Sequence, residues 1–382
     1  MKKVLLGTSA IALAGAFAAP ASAVEWDVSV GGFMTQHVGV AAGVEIDNAV
    51  GEDYDGVDVL SNTEIIFAPS ITLDNGLQFG ANVQLEGNTS GDQIDESYMF
   101  IKGSFGEVNI GSENSAGYKM TYAAPNVTAM PINSGSISAF IPFSGGGGVS
   151  TLGGIFRNAK GSSFVEVGAN NDAQRITYYS PRFAGFQIGA SYARDGSQDS
   201  SLAGDNIDGA AFSNIFDVGA NYVQSFGDFD VAVSGRWGIA QNDTDLGDTF
   251  DTDDNAQVFA VGANVGFAGI TVGGAFAESN NSGALDSQGY SAGVSYETGP
   301  WGVSATYYLG EGVDAENIGA VTKNDEEFQA ILIGGSYALA QGVGLSVYGG
   351  YVEADEDRSD DGTLGGDDVE GFVIGTAVSL SF

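Results

Sequence analysis

The sequence predicts an all-β protein, a sixteen-stranded antiparallel transmembrane β-barrel, and three observations predict it. Apolar and polar residues alternate along many segments of about ten residues or more, the length of a tilted strand that crosses a bilayer. Short turns and long connections alternate strictly along the chain. Aromatic residues lie near strand ends, as in the girdles of membrane barrels: Phe226, Phe229, Phe267, Tyr296, Trp301 and Tyr337.

The composition limits the classes of protein that need to be considered. The chain has 382 residues, of which 43% are apolar and 59 are glycine, and it has no cysteine. This apolar content excludes a disordered chain, and the lack of cysteine excludes disulfides and thiolate chemistry. The formal net charge of −37 argues against nucleic acid and anionic membrane surfaces as partners.

Residues 1–23 have the pattern of a cleaved secretory signal peptide. Lys2 and Lys3 precede an apolar run over 4–19, and Ala21-Ser22-Ala23 forms a small-residue cleavage site. No later run approaches the roughly 20 apolar residues that a membrane-spanning helix needs. We therefore expect an exported mature chain, 24–382, without a transmembrane helix.

The chain in order is one strand, seven hairpins and a final strand. The first strand is followed by an acidic connection, 41–56, and the second and third are joined by the tight turn Asp74-Asn75-Gly76. The later strands are predicted at 95–103, 107–112, 173–180, 186–194, 213–226, 229–240, 256–267, 270–278, 288–298, 301–310, 327–339, 342–353 and 369–382. All tight turns then lie at one end of the barrel and all long connections at the other, as in outer-membrane barrels.

A soluble β-sandwich also alternates, but its strands are commonly about 5–6 residues long. A sheet this large would also expose edges that invite aggregation, and closure into a barrel removes them. We therefore favour the barrel.

The stretch 113–172 interrupts this regularity and is the third long connection. It has no sustained period, contains three of the seven prolines, and includes the run Gly145-Gly146-Gly147-Gly148. It holds as many bases as acids in a strongly acidic chain. A long irregular insert in regular structure is commonly functional, so we interpret it as a functional loop. The glycine run lacks the Lys and Ser/Thr of a phosphate-binding loop.

The last strand carries apolar residues on one face and ends in Phe382. Phe372, Ile374, Val378 and Leu380 complete that face. This ending resembles the signal that is read by the outer-membrane barrel assembly machinery.

Four segments carry a resemblance to a known family: Leu73-Asp74-Asn75-Gly76-Leu77, Phe105-Gly106-Glu107-Val108, Arg175-Ile176-Thr177-Tyr178-Tyr179-Ser180-Pro181 and Phe183-Ala184-Gly185-Phe186. With these segments the mature chain resembles the general-diffusion porins of alphaproteobacteria, and more loosely the sixteen-stranded porins of Gram-negative bacteria. The resemblance implies an outer-membrane homotrimer in contact with lipid and lipopolysaccharide, with one pore per subunit. It also implies that the third long connection, 113–172, folds inward as a constriction loop.

Strand parity selects the charged residues that we expect to line the pore. Opposite the apolar faces lie Glu64, Glu86, Arg175 and Arg236. The constriction loop contributes Lys119, Arg157, Lys160 and Glu166, with Asp172 at its end.

In the resembling family, basic residues on the barrel wall face acidic residues on the constriction loop. The balanced charge of this loop departs from that pattern and leaves the sign of the local field open. The same parity places Tyr98 and Phe100 inside, which suggests packing against the loop.

Two further kinds of site are considered. Acidic connections could hold Ca²⁺ through carboxylate oxygens, with candidates Asp243, Asp245, Asp355 and Asp357. Their spacing is not that of an EF-hand and shows no repeat, so we favour a hydrated surface and expect no cofactor. Any histidine-dependent catalysis must use His37, the single histidine, which has no local motif, and we expect no enzyme activity.

The sequence thus predicts a passive, water-filled outer-membrane channel for small hydrophilic solutes and ions that prefers cations, because the chain is strongly acidic. A substrate-specific channel, or a plugged structural or adhesive surface barrel, remains the alternative.

Overall fold

The chain forms a closed sixteen-stranded antiparallel barrel in which each strand pairs with its neighbours in sequence. The computed structural model describes residues 25–46, 53–89, 93–142, 156–168, 170–198, 212–242, 255–280, 286–313, 325–356 and 368–382. The barrel closes where the first and last strands pair in register from Phe33 with Ser381 to Ile46 with Val369. The predicted fold class is confirmed.

The strands are numbered in chain order. They are β1 Asp27–Ile46, β2 Gly56–Thr72, β3 Gln78–Glu86, β4 Ile94–Gly103, β5 Gly106–Ser112, β6 Gln174–Tyr179, β7 Phe186–Asp195, β8 Phe212–Phe226, β9 Phe229–Asn242, β10 Ala256–Phe267, β11 Ile270–Asn280, β12 Asp286–Thr298, β13 Trp301–Val313, β14 Asp325–Ala340, β15 Val343–Glu356 and β16 Val369–Ser381. No helix within these described ranges is both long and apolar enough to cross a membrane.

Alternation along each strand separates an outer apolar face from an inner face. On β16, Phe372 and Ile374 are exposed on the outside, whereas Val369 and Val373 are buried on the inside. Near the tight turns, outer aromatic side chains pair across strands, as Phe229 does with Phe267 at 4.7 Å between ring centroids. Trp301 likewise pairs with Tyr337 (4.3 Å). These aromatic pairs match the predicted girdle.

The predicted tight turns join the strands as expected, and a glycine with positive φ lies in or next to each turn. In two of the turns an alanine, Ala184 or Ala268, also has positive φ. Gly76 has φ 82°, and the Asn75 side chain accepts a hydrogen bond from the Leu77 amide. Glycine adopts this φ without the steric cost that a Cβ would add.

The first strand is longer than predicted. It continues through the start of the predicted connection 41–56 as far as Ile46. A bulge between Ala42 and Glu45, with Gly43 at φ 62°, shifts the register and breaks the alternation that the sequence prediction followed.

Residues 113–142 of the segment 113–172 contain two short helical elements. Helix α1, Ala116–Met120, begins after Ser115, whose hydroxyl accepts a hydrogen bond from the Tyr118 amide. A 3₁₀ helix, Gly135–Ala139, begins after Ser134, whose hydroxyl caps it in the same way. We call 113–142 the outgoing limb of the segment and 156–172 its return limb.

An apolar core lies between the segment and the inner faces of β13–β16, which we call the covered sector. Met130, Phe140 and Ile141 of the outgoing limb pack in one cluster with Phe328 and Leu332 of β14. A second cluster joins Val165 and Val167 of the return limb to small apolar side chains of β7–β11. The inner faces of these strands therefore pack against the segment at these positions.

Candidate functional site

The outgoing limb is held to the inner wall by serine side chains on four strands, β7, β9, β13 and β15. Its backbone amides donate hydrogen bonds of 2.8–3.2 Å to these hydroxyls. The pairs are Ala116 with Ser191 of β7, Tyr122 with Ser234 of β9, Val127 with Ser304 of β13, and Ala129 with Ser346 of β15. The limb thus follows the wall around the barrel, with a backbone donor satisfied at each step.

The return limb is attached to the same wall. The Ala159 amide donates to the Ser279 hydroxyl of β11 at 3.2 Å, and the hydroxyls of Ser163 and Ser291 lie 3.0 Å apart. The Tyr308 hydroxyl of β13 donates to the Ala159 carbonyl at 2.6 Å. The return limb therefore contacts strands β11–β13, and the outgoing limb also contacts β13.

Glycines in the wall allow this close approach. A Cβ at Gly262 of β10 would collide with the Tyr122 carbonyl, and one at Gly310 of β13 would collide with the Lys160 carbonyl. Larger residues at these two positions would push the limbs off the wall.

A buried ion pair joins both limbs to β8 and β9. The Arg236 guanidinium pairs with Asp217, donates to the Val165 carbonyl, and lies 3.3 Å from the Ser115 hydroxyl and 4.0 Å from the Glu166 carboxylate. Arg236 is 3% exposed and Glu166 is 2% exposed. Burial raises the pKa of Glu166, and the nearby Arg236 opposes that rise.

Arg175 of β6 is buried at the end of the return limb. It donates to the carbonyls of Asn170 and Ala173 and is 4% exposed. Parity placed Arg175 and Arg236 on the inner face correctly, but the prediction that they line a water-filled pore is wrong, because the segment covers both.

Lys119 holds the start of the segment to β4. Its Nζ lies 2.8 Å from the Glu113 carboxylate and 3.3 Å from that of Glu96, and it sits 4.9 Å above the Tyr98 ring. Burial lowers the pKa of Lys119, but the carboxylates of Glu113 and Glu96 outweigh it and leave the pKa raised. The inward Tyr98 thus packs against the segment as expected.

Arg157 joins the two ends of the segment. Its guanidinium donates to the Asn114 side chain at 3.1 Å and lies 5.3 Å from the Tyr118 ring centroid. Asn114 in turn donates to Asp172 at 2.7 Å. Burial raises the pKa of Asp172 to about 6, a shift that the hydrogen bond from Asn171 opposes. Lys160 is buried near β13 instead, as Glu166 is near β9, so these two residues do not line an aperture.

The inner faces of β2 and β3, which we call the open sector, differ from the rest of the wall. Glu64 and Glu86 are directly paired across these strands, and neither strand carries a lysine or arginine. Glu86 and the neighbouring Asn62 are exposed, and Glu64 is partly exposed. Of the four predicted wall charges, these two glutamates are the ones that reach solvent.

Sequence reasoning missed several residues of this site. Asp217, Ser115 and Glu96 are buried partners of the predicted bases. A signal was present for Asp217, because an inward acid on β8 adjoins the inward Arg236 on β9.

The other candidates are placed as follows. His37 is buried on the inner face of β1, with Nδ1 3.0 Å from the Tyr348 hydroxyl. Asp243, Asp245, Asp357, residues 1–23 and the glycine run 145–148 lie outside the described residues. Asp355 is exposed at the outer end of β15. Within the described part of the chain, no three His, Asp or Glu side chains converge to hold a metal ion.

Comparison with known families gives the class of this barrel. The family model of Gram-negative porins matches residues 8–359, which is most of the chain. The chain belongs to the Gram-negative porin family. Its fold is that of the non-enzymatic outer-membrane channels of this family. No curated protein matches it.

Solved porin structures share the fold of this porin at low sequence identity. The outer-membrane channel DcaP of Acinetobacter baumannii is 13% identical with a TM-score of 0.60, covering 96% of this chain and 100% of DcaP. OmpT of Vibrio cholerae, in trimer form, is 15% identical with a TM-score of 0.58, and the match covers 94% of this chain and 99% of OmpT. An anion-selective porin from Comamonas acidovorans is 19% identical with a TM-score of 0.57, and the match covers 94% of this chain and 100% of that porin.

Proposed function

We propose that this porin is a water-filled channel for the passive diffusion of small hydrophilic solutes and ions, that it prefers cations, and that 113–172 is its constriction loop. The contacts of both limbs with inner-face serines, glycines and Arg236 support a loop that lies within the barrel and narrows it. One observation carries the proposal: although the 3₁₀ helix of the segment contacts β2 and Leu60 packs against the apolar core, Glu64 and Glu86 of the open sector remain accessible to solvent.

The charge of the uncovered wall supports the cation preference. Lumen selectivity depends on aperture and on the charges that line it. Both wall arginines are buried, Arg236 in an ion pair with Asp217 and Arg175 in hydrogen bonds to backbone carbonyls, whereas the open sector carries paired glutamates. We propose no enzyme activity for the chain, and histidine-dependent catalysis would have to use His37, which is buried against Tyr348.

The remaining parts of the proposal concern targeting and assembly. Residues 1–23 act as the signal peptide, and the strand ending in Phe382 is read by the assembly machinery. The assembled protein is a homotrimer among outer-membrane lipids and lipopolysaccharide, as the trimer form of OmpT from Vibrio cholerae supports. The resemblance of its motifs supports an alphaproteobacterial source.

The apolar core of the covered sector favours one alternative, a plugged structural barrel. Planar-bilayer recordings separate these functions. A diffusion channel gives conductance steps that rise linearly with KCl concentration, and a specific channel gives saturable block by one solute. A plugged barrel gives no steps. In a KCl gradient, a reversal potential of the sign for chloride selectivity would contradict the cation preference.

A further inference from the structure

Arg236 occupies a central position on the inner face of β9. It pairs in register with Gly219 of β8 and Ala260 of β10. Its side chain is 1% exposed. A guanidinium buried this deeply is tolerated only when its charge is paired and its donors are used.

Its partners come from three parts of the chain. Asp217 belongs to the wall, Ser115 begins the outgoing limb, and Val165 with Glu166 belongs to the return limb. One side chain therefore contacts the wall and both limbs at once.

Asp217 extends this connection to helix α1. Its second carboxylate oxygen accepts a hydrogen bond from the Gly117 amide. Gly219 lets the helix approach, since a Cβ there would lie 2.8 Å from the Gly117 Cα. The Arg236–Asp217 pair thus fixes α1 against β8 and, through Arg236, the return limb against β9.

We propose that Arg236 is the positioning residue that sets the aperture of this porin, by holding both limbs of 113–172 against the wall. This inference rests on the proposed function, in which the segment narrows the channel. Arg175 provides a matched comparison, because it is an equally buried inner-face arginine whose backbone acceptors, Asn170 and Ala173, lie at one end of the return limb.

The test compares Arg236→Met, Arg236→Lys and Arg175→Met in planar bilayers. We expect single-channel conductance of Arg236→Met to rise about twofold, since both limbs lose their shared contact. Arg236→Lys keeps the charge but not the forked geometry, so its rise should be smaller. Arg175→Met should change conductance least. Equal conductance of wild type and Arg236→Met, or an equal rise in both Met variants, would overturn the inference.

A reversible tether separates displacement of the loop from general misfolding. The Ser163 and Ser291 hydroxyls are 3.0 Å apart, and the chain has no cysteine that could compete. In the Arg236→Met background, Ser163→Cys with Ser291→Cys should form a disulfide that returns conductance toward wild type, and a reductant should abolish this return. A tethered channel that keeps the raised conductance would contradict positioning by Arg236.

Two outcomes distinguish this inference from the proposed function. Silent wild-type protein refutes the channel itself, whereas a conducting wild type with unchanged Arg236 variants refutes only the role of Arg236. If Arg236→Met does not fold, Asp217→Asn tests the role of Arg236 instead, because it removes the charge that pairs with Arg236 with little change in volume. It should also raise conductance.

Discussion

The covered and open sectors of the barrel are built from strands of the same period but carry different inner surfaces. In the covered sector, β14 is apolar on both faces, with Phe328 and Leu332 inside and Ile331 and Ile333 outside. In the open sector, β2 carries Glu64 inside between the outer residues Thr63 and Ile65. Alternation therefore fixes which side chains point inward. The path of the segment 113–172 determines whether those side chains contact protein or water.

The largest effect should come from placing a charge in the covered sector. Leu332→Asp buries a carboxylate that has no partner in the apolar core, at a cost of about 3–5 kcal/mol in the free energy of unfolding. Ile66→Asp places the same group on the partly exposed inner face of β2 and should cost less than about 1 kcal/mol. The temperature at which each variant changes from the mobility of the folded barrel to that of the unfolded chain on gels measures its loss of stability. Equal losses would show that the two sectors do not differ in solvation.

How much of this contrast could be predicted depends on the residues concerned. The strands followed from alternation because an outer apolar face is required wherever lipid is the solvent. The burial of Arg236 could not be predicted, since parity gives its direction but not the path of a segment that begins more than a hundred residues earlier. Phe328 and Leu332 did carry a signal, because a strand that is apolar on both faces indicates that its inner face is covered.

Thiol accessibility sharpens the comparison. In a chain without cysteine, Asn62→Cys and Val352→Cys are single reporters on two inner faces, one exposed and one fully buried. A charged methanethiosulfonate should modify Val352→Cys about a hundredfold more slowly, because reaction there requires local opening. Mass spectrometry over time gives both rates. Similar rates would mean that water reaches the covered sector.

The selectivity of the open sector depends on its paired glutamates. Glu64→Gln with Glu86→Gln should lower the permeability ratio of K⁺ to Cl⁻ about two- to fourfold, since a charge roughly 5 Å from the ion path interacts by under 1 kcal/mol in water. Reversal potentials in a KCl gradient measure this ratio.

Glu353 and Glu370 provide the matched control, because they are also paired across strands but lie on the outer side of β15 and β16. Glu353→Gln with Glu370→Gln removes the same charge and should leave the ratio unchanged. If substitution of the outer pair shifts the permeability ratio more than substitution of the inner pair, the open sector does not control ion selectivity.

The smallest effect concerns pH at the end of the return limb. Asp172 has its pKa raised to about 6 from an ordinary value of 3.8, so the packed segment favours its protonated form. This contribution to stability is fully present below the ordinary pKa and is lost as pH rises through about 6. The groups that face Asp172 are the amides Asn114 and Asn171, the acids Asp95 and Glu96, and the base Arg157.

Asp172→Asn should therefore flatten the decline in thermal stability between about pH 4 and 6. Asparagine also tolerates the left-handed φ of 53° at this position, so the substitution adds little strain. Thermal unfolding followed by circular dichroism at several pH values measures the profile. If the thermal stability of the variant declines with pH as in the wild type, a group other than Asp172 causes the decline.

The exchange of hydrogen bonds between Gly32 and Phe382 has a consequence for biogenesis. The Phe382 amide donates to the Gly32 carbonyl at 3.1 Å, and the Gly32 amide donates to the Phe382 carbonyl at 3.1 Å. These bonds join β1 to Phe382, so the barrel cannot close before β16 is available to pair with β1. The apolar side chains of the outgoing limb pack on β14–β16 but precede those strands in the chain, so they stay unpacked until those strands follow. During that interval they need protection from aggregation.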